Sequence, residues 1–406
     1  MGYAKDTVKG ISWMGGFRVV NRGMVFVKTA LLARLLSPAQ FGVFGIATLA
    51  LGLLEVLTET GINVFLIQDK SDLDEYVDTA WIVSILRGLL ISLIMLVMAP
   101  AVSSFFRSPE SLAVLLLIAL VPFLRGFLNP SEVVFQKELQ FNKEFFFRSS
   151  IIFVDTVVAV VLSLITRSVF ALIWGMIAGA ILELAISFLL IKPRPKLAFD
   201  REKVKRVIER GKWITAAGIF NYLFSNGDNM VVGRLLGEAP LGTYSVSYKI
   251  STLPVSEISD VFAKVTFPVY VKISEDTKRL KRAFFRTFLV SGFLVTLAGL
   301  FIFIFSRQIV QIVLGPNWTA AIPVLKVLSV FGIVKGISNL PFSLFLALKK
   351  QEYVMGTTLV GIVALAASII PLSLKYGLTG TGISVIVSTI ATFPVLAYYL
   401  AKVFRK

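Results

Sequence analysis

The sequence predicts an all-α integral membrane protein with about twelve transmembrane helices in two pseudo-symmetric lobes of six. Three observations carry this expectation: long apolar runs, a one-sided distribution of lysine and arginine, and an echo between the two halves of the chain. Of 406 residues, 56% are hydrophobic and 16% charged. A soluble domain is nearer 45–50% apolar and about 25% charged. The composition therefore excludes an ordinary soluble enzyme, a disordered chain and a disulfide scaffold. There is no cysteine and no histidine. Thiolate metal sites, the usual zinc and haem sites and the usual catalytic triads are thereby excluded. No catalytic residue, cofactor or metal is expected.

A spanning helix needs about 20 mostly apolar residues. Twelve such runs lie near 10–36, 39–67, 79–106, 109–136, 146–166, 168–191, 211–236, 240–270, 284–306, 316–348, 353–375 and 378–402. They are called the first to twelfth spans below. With the N-terminus placed in the cytoplasm, 26 Lys and Arg fall on cytoplasmic segments. Only four, Arg107, Arg167, Arg307 and Lys375, fall outside. That asymmetry is the positive-inside pattern. It sets both termini in the cytoplasm of an inner (plasma) membrane protein. The net charge of +17 is then a topology signal and a match to anionic membrane lipids, and no nucleic-acid partner is expected. The first run carries Arg18, Arg22 and Lys28, so it does not read as a cleavable signal peptide.

The halves echo each other. Ala33-Arg34-Leu35-Leu36 parallels Gly233-Arg234-Leu235-Leu236 at an offset of 200. Arg125-Gly126-Phe127-Leu128-Asn129 parallels Lys335-Gly336-Ile337-Ser338-Asn339 at 210. Six spans per half is an even number, so the halves are parallel repeats with a substrate path expected between them. The lobes are drawn at 1–192 and 211–406, joined by a basic cytoplasmic linker, 193–210.

Charges inside a bilayer are costly and by default face a wet cavity. On the second span Thr48, Gly52, Glu55, Glu59 and Asn63 form one stripe, and on the fourth Arg125, Asn129, Glu132 and Gln136 form another. Pro122 and Pro130 are expected to bend the fourth span. Lys335 and Asn339 stand on the tenth. Asp155 and Glu183 are lone carboxylates in the fifth and sixth, and Asp228 lies in the seventh. The alternative is that these charges pair with one another, as Arg22 could with Glu55. Basic residues outnumber acidic ones within the spans, so a net-positive chamber is expected. Such a chamber suits a polyanionic head group, because a guanidinium fork matches phosphate oxygens. A lipid-linked diphosphate sugar fits. The residues expected to bind it are Arg18, Arg22, Arg125 and Lys335, with Asn129 and Asn339. No nucleotide-binding loop is visible. Glu55, Asp155, Glu183 and Asp228 are therefore the candidates for coupling transport to an ion gradient.

Two segments carry a family likeness: Ala33-Arg34-Leu35-Leu36-Ser37-Pro38-Ala39-Gln40-Phe41-Gly42-Val43-Phe44, and Leu314-Gly315-Pro316-Asn317-Trp318 followed by Ala321-Ile322-Pro323-Val324-Leu325. With the 6+6 layout they resemble the polysaccharide transport family of the MOP (multidrug/oligosaccharidyl-lipid/polysaccharide) superfamily, which includes Wzx-type O-antigen flippases. The resemblance implies a MATE-like fold. It implies movement of undecaprenyl-diphosphate-linked oligosaccharide, a polysaccharide repeat unit, to the outer leaflet by alternating access. It also implies polymerase and glycosyltransferase partners, and basic cavity residues, for which Arg22, Arg125 and Lys335 stand here. Many members carry two further helices beyond the twelfth, whereas this sequence ends at Phe404-Arg405-Lys406. Two other readings stay open. A cation or drug antiporter of the same fold would need an acidic chamber, and a membrane glycolipid polymerase or ligase would need a substantial outer loop.

Overall fold

The computed structural model describes residues 20–61, 73–198 and 200–405, with the backbone alone for 73–75 and 201–217. Among these residues every regular element is helical and none is a strand. The first span is a helix over 20–35. The second is Pro38–Leu57, the third Leu73–Phe106, the fifth Phe141–Thr166 and the sixth Phe170–Leu190. Arg201–Leu236, Glu238–Lys272, Thr277–Ile304 and Ala321–Ala347 follow as the seventh to tenth. The fourth is broken into Ser111–Ile118, Leu120–Gly126 and the turns Pro130–Val133 and Val134–Lys137. Among the described residues helix is found in each of the twelve expected runs; the start of the first run and the end of the second lie outside the described residues. Among the described residues, seven stretches are long and apolar enough to cross a membrane, or eight if the bent fourth pair is one span. The last of them, Gln351–Phe404, holds two runs.

The outward faces are those of a membrane protein. Leu93, Val97, Leu164, Ile165, Leu189, Leu190, Leu289 and Val363 are all exposed. Such a surface is stable only against hydrocarbon. The inward faces pack in local clusters, one of which gathers Val43, Ala47, Leu51, Ile91, Met95, Val114, Leu115, Ile118, Ile173 and Ile177.

The repeat seen in the sequence recurs in the backbone. Left-handed residues end corresponding helices: Arg107 and Gly315, Leu139 and Lys349, Arg167 and Gly377. Two of these pairs stand at the offset of 210. At one pair even the hydrogen bonds match: Gln140 N–H donates to Phe135 O at 2.7 Å, and Lys350 N–H to Phe345 O at 2.8 Å. Gly377, at φ +59° and ψ −137°, divides the long final stretch. Contacts on either side show a helical hairpin. Ser373 meets Thr381 through their hydroxyls at 2.7 Å, Ser388 donates to Gly361 O at 2.7 Å, and Tyr353 stacks on Tyr399 with ring centroids 4.2 Å apart. Only glycine adopts that turn without strain.

The chain forms two compact units, Met1–Gly227 and Asp228–Lys406. Their limit falls inside the helix Arg201–Leu236, whose side chains bond in two directions. Tyr222 OH donates to Leu49 O at 2.7 Å, whereas Asp228 accepts from Tyr244 OH at 2.9 Å. By contacts the seventh span is therefore shared, while the repeat assigns it to the second half.

Candidate functional site

In the first unit the third and fourth spans touch backbone to backbone. A Cβ on Gly88 would stand 2.5 Å from Pro122 O and 2.7 Å from Gly126 Cα. Each of these glycines follows an arginine, Arg87 and Arg125. The close approach sets both guanidiniums on the wall of a recess of about 210 Å³, whose polar lining also includes Glu55, Glu59, Asn129 and Glu132. Arg87 donates to Glu55 O at 2.7 Å and to Thr58 Oγ1 at 3.3 Å, and lies 3.4 Å from Glu59 Oε2. It stands where the second helix ends, at Leu57, and satisfies a carbonyl left over there.

The fourth span does not present one polar stripe. The chain breaks after Gly126 and turns by 71°, so the four expected residues go to four different partners. Arg125 Nε lies 3.3 Å from Glu183 Oε2. Asn129 is fully buried: its Oδ1 accepts from Ser131 N at 3.0 Å, and its Nδ2 donates to Ser187 O, Ile191 O and Pro193 O at 3.3, 3.4 and 3.0 Å. Its amide holds the bend, and its geometry leaves no donor for a ligand. Glu132 faces Arg148 at 3.6 Å, and Gln136 donates to Glu144 at 2.8 Å. An Asn before Pro is a helix N-cap signal, and here that role explains the residue better than a stripe.

Neither Asp155 nor Glu183 is a lone carboxylate. Lys28 Nζ reaches both oxygens of Asp155 at 2.7 Å. Glu183 faces two guanidiniums, since Arg148 also approaches it at 3.9 Å. Arg148 in turn serves Glu132 and Glu144. Sequence periodicity places residues on helix faces but does not say which distant helix supplies the partner. Arg18 and Asn63 lie outside the described residues. Arg22 is exposed on the first helix, and Glu55 is half-buried on the recess wall.

In the second unit Asp228 is buried and accepts from Tyr244 OH at 2.9 Å, from Asn229 N at 2.8 Å and from Asn229 Nδ2 at 3.1 Å. Lys335, half-buried on the tenth span, donates to Tyr248 OH at 2.9 Å. Its Nζ stands 5.4 and 5.3 Å from the Tyr248 and Phe331 ring centroids. Among the described residues no carboxylate comes within ion-pair distance of Lys335. An ammonium has three donors. One is used, and ring faces hold the charge without neutralising it. Asn339 is exposed and lines a separate, mostly apolar recess of about 620 Å³ with Asp260, Lys264, Phe284 and Phe342. On the eighth span the hydroxyls of Ser245, Thr252 and Ser256 bond to their own helix, at Gly242 O, Tyr248 O and Thr252 O.

The result is a helical membrane scaffold whose halves repeat, with Arg125 and Lys335 at corresponding positions. The chain belongs to the polysaccharide biosynthesis protein family, whose sequence profile matches residues 31–323. It is 26% identical over 353 residues to the lipopolysaccharide biosynthesis protein WzxC of Escherichia coli K12, covering 86% of this chain and 71% of that protein. Its fold is that of the lipid II flippase MurJ in an inward closed conformation, with a TM-score of 0.75 at 14% identity over 96% of this chain and 89% of that one. It is also that of an inward-facing multidrug resistance MATE family transporter of the MOP superfamily, with a TM-score of 0.70 at 17% identity over 94% of both chains.

Proposed function

We propose that the chain is a flippase that carries a lipid-diphosphate-linked oligosaccharide from the cytoplasmic to the outer leaflet. Movement is by alternating access of two six-helix lobes, 1–192 and 211–406, about the linker 193–210. Family membership, the likeness to the E. coli lipopolysaccharide biosynthesis protein WzxC and the fold shared with a lipid II flippase support the reading. The carrying observation is Lys335, a half-buried cation held by a phenol and two rings, with donors left for an anion. Arg125, whose side chain is 42% exposed although it faces Glu183, and Arg22 supply the planar forks that match phosphate oxygens. Arg18, four residues before Arg22 in the sequence, is assigned with them. Asn339 is assigned to the sugar-bearing part. Glu55, Asp155, Glu183 and Asp228 are the carboxylates proposed to couple transport to an ion gradient. No covalent bond is made or broken, so the chain acts as a transporter and not an enzyme.

The substrate class is an oligosaccharide on a polyprenyl diphosphate such as undecaprenyl diphosphate. The protein sits in the inner membrane with both termini cytoplasmic, supplied by glycosyltransferases and drained by a polymerase. The test is translocation by Arg22→Ala and Arg125→Ala variants that insert normally. The expected result is loss of transport in each. Full transport by both would remove the phosphate role.

A further inference from the structure

We propose that Arg125 and Glu183 form an exchangeable ion pair. A diphosphate that takes Arg125 leaves Glu183 to bind one proton, so anion binding and proton binding are coupled in the first unit. The inference rests on the reading of Arg125 as a phosphate contact and goes beyond it by naming the proton acceptor and the linkage.

The two partners are unequally held. The Glu183 side chain is only 8% exposed, while that of Arg125 is 42% exposed. The carboxylate is fixed in the protein, and the guanidinium stands at a boundary where a ligand can reach it. Their contact is ionic and not a formed hydrogen bond. Although Glu183 Oε2 lies 3.3 Å from Arg125 Nε, it is buried and has no hydrogen-bond partner. A diphosphate oxygen can offer Arg125 the aligned, charge-assisted bonds that Glu183 does not.

Glu183 has little to fall back on. The sixth span packs against the fifth, which brings Glu144, Arg148 and Asp155, and against the fourth, which brings Arg125 and Glu132. Asp155 is occupied by Lys28. Arg148 lies 3.9 Å from Glu183 but also 3.6 Å from Glu132 and 3.5 Å from Glu144. Glu183, Glu132 and Glu144 thus share two guanidiniums, and Glu55 lines the same recess as Arg125. Once Arg125 turns to a phosphate, the first three share one. An uncompensated buried carboxylate costs several kcal/mol, and such a group neutralises by binding a proton. The balance is simple: Arg125 keeps its charge, one O–H bond forms on Glu183, and the proton comes from water or buffer. By reciprocity, a proton already on Glu183 releases Arg125, so acid favours the anion.

The experiment uses the full chain in lipid nanodiscs with farnesyl diphosphate as the probe. Binding is measured by calorimetry at about pH 8 and about pH 6, in buffers of differing ionisation heat; one linked proton changes affinity by at most tenfold per pH unit. The probe's own titration enters every protein alike, so the readout is the difference between proteins. The parent is expected to take up more protons per bound probe than Glu183→Gln. Its affinity rises on acidification by more than that of Glu183→Gln, which stays tight at both pH values. Arg125→Gln binds weakly, with no such excess uptake. Equal proton uptake by the parent and Glu183→Gln would overturn the coupling. Parent-like uptake in Arg125→Gln would do so independently of whether Glu183→Gln folds. A parent that does not bind the probe at all would instead overturn the phosphate role of Arg125.

Discussion

The fourth and tenth spans hold the same place in the repeat, with Arg125 and Lys335 at corresponding positions, yet they are built differently. The fourth is broken after Gly126 and bends by 71°. The tenth runs unbroken from Ala321 to Ala347 through Pro341. In the fourth, the break turns Glu132 toward Arg148 and frees a recess beside Arg125. In the tenth, Lys335 lies against Tyr248 and Phe331. The repeat decides where a cation stands, and the local course of the backbone decides what can neutralise it. Arg125 therefore carries an internal counter-ion, Glu183, whereas Lys335 is a cation ready for an external one.

Substitutions at four positions break or sharpen that contrast. The largest effect is expected from Lys335→Ala. Losing charge-assisted bonds to a phosphate lowers anion affinity by about 10- to 100-fold, and translocation fails while insertion stays normal. Lys335→Arg should recover part of both, measured as probe binding and transport in parallel. Next is Gly88→Val. Its side chain meets Pro122 O and the Gly126 backbone, so the third and fourth spans part at a cost of about 1–3 kcal/mol. A thermal melt in detergent reads that loss, and the same shift should weaken binding through Arg87 and Arg125 together. A third variant, Asn129→Ala, strips the cap from the bend and lowers stability by about 1–2 kcal/mol. Its probe affinity should stay near that of the parent, because the amide is spent on Ser187, Ile191 and Pro193. A large selective loss of affinity would return Asn129 to the binding surface. The smallest effect is Ser37→Ala. Ser37 and Gln40 cap the second helix reciprocally at 3.3 and 2.9 Å, so about 1 kcal/mol is expected. The matching position in the other half, Gly237 at φ +97°, has no side chain to lose, and an alanine there is strained instead.

Much of this architecture is legible in the sequence because its signals are local. Apolar runs, the Ser37-Pro38 start and the Gly377 turn each act within a few residues. The echo at 210 shows because turn chemistry repeats, as at Leu139 and Lys349. The ion pairs are another matter. Lys28 and Asp155 are 127 residues apart, and nothing on either helix names the other. From its place near the cytoplasmic end of the third span, Arg87 reads equally as a snorkelling and as a functional residue. The Arg-Gly dipeptides at 87–88 and 125–126 were the available signal, because each marks a close crossing with a cation beside it. Asn129 and Glu132 look like one helix face only until Pro130 breaks the helix between them.

The most direct test of the account is transport by the reconstituted chain. Liposomes holding the protein are given a fluorescent polyprenyl-diphosphate oligosaccharide, and its movement between leaflets is followed by quenching from one side. The account predicts translocation by the parent chain and none by Lys335→Ala or Arg125→Ala at equal protein content. A parent chain that leaves the glycolipid in place while carrying a lipophilic cation would contradict it.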